Sequence, residues 1–160
     1  TIIMKRSVIF AITAALICAI ACVFSACTVS FGSLLDEMSY AGEDDRPDHL
    51  KITVSNGETL LYSYEDGEVH DPFGLDEGSF GLGQAASGFD FTEDSFSGYE
   101  VRDTDDGHVV TGTLADPAAF LGVDATSCDV EALIDDDGLV YLALTYVTGG
   151  GNTVEIRAFD

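Results

Sequence analysis

Four dipeptides punctuate residues 49–160 of this chain: Asn56-Gly57, Asp66-Gly67, Asp106-Gly107 and Asp137-Gly138. Each stands between runs rich in β-branched and aromatic residues. Asn and Asp tolerate positive φ and Gly is indifferent to it, which is what a two-residue hairpin turn needs. The spacing predicts antiparallel strands at 49–55, 58–64, 99–103, 108–114, 127–134, 139–148 and 152–159, the last two joined across Gly149-Gly150-Gly151. In the last strand Val154, Ile156 and Ala158 take one face, and Thr153, Glu155 and Arg157 the other. In the strand before it, Val140, Leu142, Leu144 and Tyr146 share one face and Tyr141, Ala143, Thr145 and Val147 the other. Apolar residues on both faces place that strand near the centre of a sheet.

Two segments interrupt the hairpins. Residues 115–122 read ADPAAFLG, a short helix with Asp116 as N-cap, Pro117 at its first position and Gly122 at its stop. Residues 71–98 form a long crossover holding Phe73, Leu75, Phe80, Leu82, Phe89, Phe91 and Phe96. A connection of that length carries function or hidden structure. A short helix around 79–87 would let its apolar residues cover one sheet face. Upstream, Phe31, Leu34, Leu35 and Met38 recur at helical spacing and predict a helix over about 33–40. Residues 42–48, GEDDRPD, read as a polar linker.

The N-terminal stretch has a different character. Lys5 and Arg6 precede an uncharged run from Ser7 to Ala26 that closes on Ser25, Ala26 and Cys27. This is the pattern of a secretory signal cut before a cysteine, whose thiol is then lipidated. Cys27 is the favoured lipidation site and Cys22, after Ala19-Ile20-Ala21, the alternative. Phe24 departs from the aliphatic residue that such sites prefer. An uncleaved span is disfavoured because its apolar core, Val8 to Phe24, is at the lower limit for crossing a bilayer. The expected organisation is a signal peptide at 1–26, a lipid-anchored tether with a short helix at 27–48, and an antiparallel β domain at 49–160. The expected location is the outer face of a bacterial cell membrane.

All 29 acids lie beyond Cys27, against four cations: Arg46, Lys51, Arg102 and Arg157. A surface this negative repels phosphates, so nucleic acid is an unsuitable partner. Removing the signal leaves Cys128 without a partner for an internal disulfide. Followed by alternating Val130, Ala132 and Ile134, it reads as a core side chain.

Motifs for catalysis or cofactors are weak. Gly81-Leu82-Gly83-Gln84-Ala85-Ala86 loosely matches a dinucleotide fingerprint but lacks a βαβ setting. Ser79 lacks the first glycine of a nucleophile elbow, since Glu77 stands there. His49, His70 and His108 have no zinc-ligand spacing. The acidic runs at 103–107 and 135–138 do not follow a calcium-loop pattern and read as solvated turns. No enzymatic activity, cofactor or metal is expected.

One resemblance runs through residues 49–160. Val109-Val110-Thr111-Gly112-Thr113-Leu114 leads to ADPAAFLG and then to Val130-Glu131-Ala132-Leu133-Ile134-Asp135-Asp136-Asp137-Gly138-Leu139-Val140. The chain closes on 151–160, GNTVEIRAFD. This order, with the hairpin region 52–73 before it, resembles the LppX/LprG-type lipoproteins of actinobacteria, related to the LolA-like carriers. The resemblance implies a mainly β, α+β fold: a curved antiparallel sheet or half-barrel of six or seven strands, its concave face covered by one or two short helices. It also implies an apolar cavity for acyl chains, for which Phe73, Phe80, Phe89 and Phe91 are the candidate lining. Those family members carry a longer N-terminal half than the short stretch between Cys27 and His49. The expected function is a membrane-anchored lipoprotein that binds or carries a lipid or other apolar ligand. The alternative is a non-catalytic structural or interaction lipoprotein without a ligand.

Overall fold

A computed structural model describes residues 29–42, 47–75 and 77–160 of the chain. The signal segment, both candidate lipidation sites and most of the acidic linker lie outside the described residues. From Phe31 onward the elements run α1 (Phe31–Met38), β1 (Tyr40–Ala41), β2 (His49–Asn56), β3 (Thr59–Glu65) and β4 (Glu68–His70). The crossover then holds a 3-10 turn (Glu77–Phe80), α2 (Leu82–Ser87), β5 (Gly88–Phe89) and a second 3-10 turn (Glu93–Ser95). β6 (Phe96–Thr104), β7 (Gly107–Leu114), α3 (Pro117–Leu121), β8 (Ala125–Asp135), β9 (Gly138–Thr148) and β10 (Thr153–Phe159) complete it.

The fold is mainly β. Eight strands form one open antiparallel sheet in the order β4-β3-β2-β10-β9-β8-β7-β6, and β1 and β5 pair in a separate ribbon. The eighth strand is β4, a three-residue edge paired to β3 beyond the Asp66-Gly67 turn. At that turn Asp66 itself takes φ 48° and Gly67 φ 93°, so both central residues are left-handed. At the other three hairpins the positive φ falls on the glycine alone. Gly107 also leaves no room for a side chain, because a Cβ there would run into the carbonyl of Ile134. β9 lies inside the sheet, as its two apolar faces predict.

Alternation sorts the strands into two faces. Leu50, Ile52 and Val54 of β2, Val154, Ile156 and Ala158 of β10, and Leu142, Leu144 and Tyr146 of β9 are all buried and directly opposite one another in register. Cys128, Val130 and Ala132 of β8 extend the same surface. α1 covers β8 and β9 through Leu34, Leu35 and Met38, α2 lies over β2, and α3 over β8. α3 starts as the sequence predicts: the Asp116 carboxylate accepts from the Ala119 amide at 3.0 Å, and Gly122 ends the helix at φ 67°.

The crossover completes this cover with aromatic rings. Phe89 and Phe91 meet Phe120 of α3 at centroid distances of 5.8 and 5.0 Å, and Phe91 stacks on Phe96 at 5.7 Å. Phe80 packs on Tyr62. The Tyr40 hydroxyl donates to the Ala85 carbonyl at 2.8 Å, fixing the small ribbon to α2. Phe96 also lies against Gly112, where a Cβ would crowd its ring. Phe31 stacks on Tyr99 at 3.5 Å and carries the cover out to β6. No polar or charged residue is buried in this core among the described residues.

Candidate functional site

No described helix lies over the opposite face of the sheet, and its composition follows from register. Because a direct cross-strand pair shares one face, the ladders can be read straight across the sheet. One row runs Glu65, Lys51, Arg157, Ala143, Glu131, Thr111, Glu100. Beside it run Ser63, Thr53, Glu155, Thr145, Asp129, Thr113, Gly98. On the other side, His49, Phe159, Tyr141, Leu133, Val109 and Arg102 form a third row. The three described cations of the chain, Lys51, Arg102 and Arg157, therefore all stand on this face.

The twist of the sheet and the long side chains of its flanking strands make the face an open groove of about 1060 Å³. Its floor is short side chains, with Ala143 and Thr145 of β9 in the middle and Thr111, Thr113 and Gly98 toward β6. Lys51 and Arg157 stand on one side, and Asp129, Glu131 and Glu100 on the other. The two cations are directly opposite each other on adjacent strands, a like-charge arrangement that opposes sheet formation. Each is held by a carboxylate: Lys51 Nζ lies 2.7 Å from Glu65 Oε2, and Arg157 Nη2 lies 2.8 Å from Glu155 Oε1.

Across the groove, Asp129 accepts a hydrogen bond from the Thr113 hydroxyl at 3.0 Å, and Glu131 accepts from the Tyr141 hydroxyl. Glu100, Asp129 and Glu131 form no ion pair among the described residues. Burial, reinforced by donation to Glu131, pushes the Tyr141 phenol up to about 12, so it remains a proton donor at neutral pH.

The residues expected to line a cavity lie elsewhere. Phe80, Phe89 and Phe91 are buried in the covered core, and Phe73 is 60% exposed beyond β4. None of the four lines the groove. The rings of Phe80, Phe89 and Phe91 pack between the crossover and the sheet. Cys128 is buried, and desolvation pushes its thiol up to about 12. None of the three histidines lines the groove. No group of His, Cys, Asp or Glu able to hold a metal occurs among the described residues. The acidic runs are turns closed on themselves: Asp135 Oδ1 accepts from the Asp137 and Gly138 amides at 2.8 and 3.2 Å.

No sequence motif marks Lys51, Arg157, Glu131 or Tyr141. The available signal was the outward alternation of the strands. No known protein family, curated protein or solved structure matches this chain.

Proposed function

We propose that this chain is a non-catalytic, lipid-anchored protein of the extracytoplasmic membrane face, and that it works by binding a ligand on the open face of its sheet. The address rests on the charged and apolar pattern that ends at Cys27, with Cys22 as the alternative. The binding face rests on one observation: the face with no described helix over it keeps a broad groove that brings Lys51 and Arg157 into one lining with Asp129, Glu131 and Glu100. The groove's hydroxyls and carboxylates can hydrogen-bond a ligand. With neither a histidine nor the one described cysteine among its lining, binding is the role that suits it.

A second reading, carriage of a lipid as the resemblance implies, is favoured by Tyr146. Its hydroxyl is fully buried beneath the crossover near Gly81 and finds no hydrogen-bond partner among the described residues. A bound headgroup would satisfy it, removing a penalty of about 1–3 kcal/mol.

Mass spectrometry of the full chain purified from bacterial membranes tests both readings. The expected mass begins at an acylated Cys27, and Cys27→Ser moves the protein to the soluble fraction. A polar co-purifying ligand lost from Ala143→Trp, which fills the groove floor, supports the open face. An acyl lipid retained by that variant favours the second reading. Purification without any lipid from either protein argues against the second reading.

A further inference from the structure

The charge layout of the groove is more specific than an acidic surface requires. In a chain with 29 acids and six cations, Lys51 and Arg157 face each other across one strand spacing despite their mutual repulsion, each steadied by a carboxylate on its own flank. Ala143 then separates Arg157 from Glu131 along the same row. Adjacent strands lie about 4.8 Å apart, so the cationic side stands about 10–14 Å from Glu131 and Asp129. Between the two sides the floor is alanine and threonine, which admits a flat chain and offers it hydroxyls.

The geometry points to a short zwitterionic peptide as the occupant, lying across the strands with its carboxylate toward Lys51 and Arg157 and its ammonium toward Asp129 and Glu131. This rests on the reading of the open face as the binding face. An extended chain advances about 3.3–3.6 Å per residue, so three or four residues span the two sides. A zwitterionic lipid headgroup holds its two charges too close together to reach both. A purely anionic ligand would meet the repulsion of the whole molecule. A purely cationic ligand would leave the Lys51 and Arg157 side without a counterpart. A zwitterion has no net charge for the acidic surface to repel, and each of its ends finds the opposite sign.

The test is calorimetric titration of the full chain in detergent micelles with tetra-alanine, its N-acetyl form and its C-amide form, at low and at physiological salt. Free tetra-alanine is expected to bind, and each capped form to bind about tenfold more weakly. Arg157→Gln and Lys51→Gln are expected to abolish the preference for the free over the amidated peptide, while leaving the penalty for acetylation. Glu131→Gln is expected to do the reverse. These are ratios within one variant, so they hold even where a substitution lowers stability. Equal binding of free and capped peptides overturns the zwitterion assignment but leaves the open face as a binding face. No heat with any of the three at about 10 mM, about ten times a 1 mM dissociation constant, also overturns it. The groove itself is judged separately by the Ala143→Trp comparison.

Discussion

Leu144 and Thr145 are neighbours on β9, yet they belong to two different surfaces. On Leu144's side, aliphatic rows from β2, β10, β9 and β8 meet three helices and a cluster of phenylalanines. On Thr145's side, the same four strands present lysine, arginine, threonine and carboxylates to an open groove. The backbone and its hydrogen bonds are common to both, so the difference lies in side chains and in what lies over them. The covered face supplies the apolar burial that drives folding. The open face buries less apolar surface, so folding constrains its residues less.

Substitutions can break that contrast, beginning with the largest expected effect. Leu144→Ala should lower the unfolding free energy by about 2–5 kcal/mol, the cost of a lost core side chain plus a cavity. Thr145→Ala should stay within about 0.5 kcal/mol. Urea unfolding measures both, and equal losses would erase the distinction between the faces.

Tyr146→Phe should raise stability by about 1 kcal/mol, because it removes a buried hydroxyl that has no partner among the described residues. Burial raises that phenol's pKa, as expected for a group cut off from water. A loss of stability on this substitution would mean that the hydroxyl is bonded in solution.

On the open face, Lys51→Gln should change stability by less than about 1 kcal/mol, since its pair with Glu65 is part-exposed and screened by salt.

The smallest effect is at the edge of the open face, where Asp66 raises the pKa of His49 above 6.5 by hydrogen bonding and by its charge. A raised folded pKa means that the contribution is full below about pH 6.5 and fades as pH rises through the folded value. The stability difference between the native protein and His49→Gln should therefore be larger at about pH 5.5 than at about pH 8.5. A difference that grows with pH would contradict the pairing.

Much of the covered face was legible in the sequence because it depends on local rules. Alternation and turn chemistry located seven strands, and capping residues located α3. β6 begins at Phe96, three residues before the expected start, because a register shift between Phe96 and Gly98 breaks the alternation there. β4 was missed because three exposed residues, Glu68, Val69 and His70, carry no pattern. α1 starts at Phe31 and not near 33, since Phe31 adds its ring to the cover over Tyr99. The groove was illegible for another reason. It is assembled from six strands, and its meaning depends on which residue stands opposite which. Lys51 and Arg157 are 106 positions apart in sequence and adjacent in the sheet. The phenylalanines are numerous, and Phe80, Phe89, Phe91 and Phe96 serve the core.

The pairing of β2 with β10 has a consequence in time. Within the sheet, the β2–β4 group joins the β9-to-β6 group through β10. In a chain that emerges from its N-terminus, β2 must therefore wait for residues 153–159 before its buried edge is covered. Contacts of this sequence separation slow folding. Until they form, Leu50, Ile52 and Val54 lie beside an unfilled strand position. Were the chain exported as proposed, that interval would fall at the membrane surface, where the lipid anchor proposed for Cys27 would keep the chain from diffusing away.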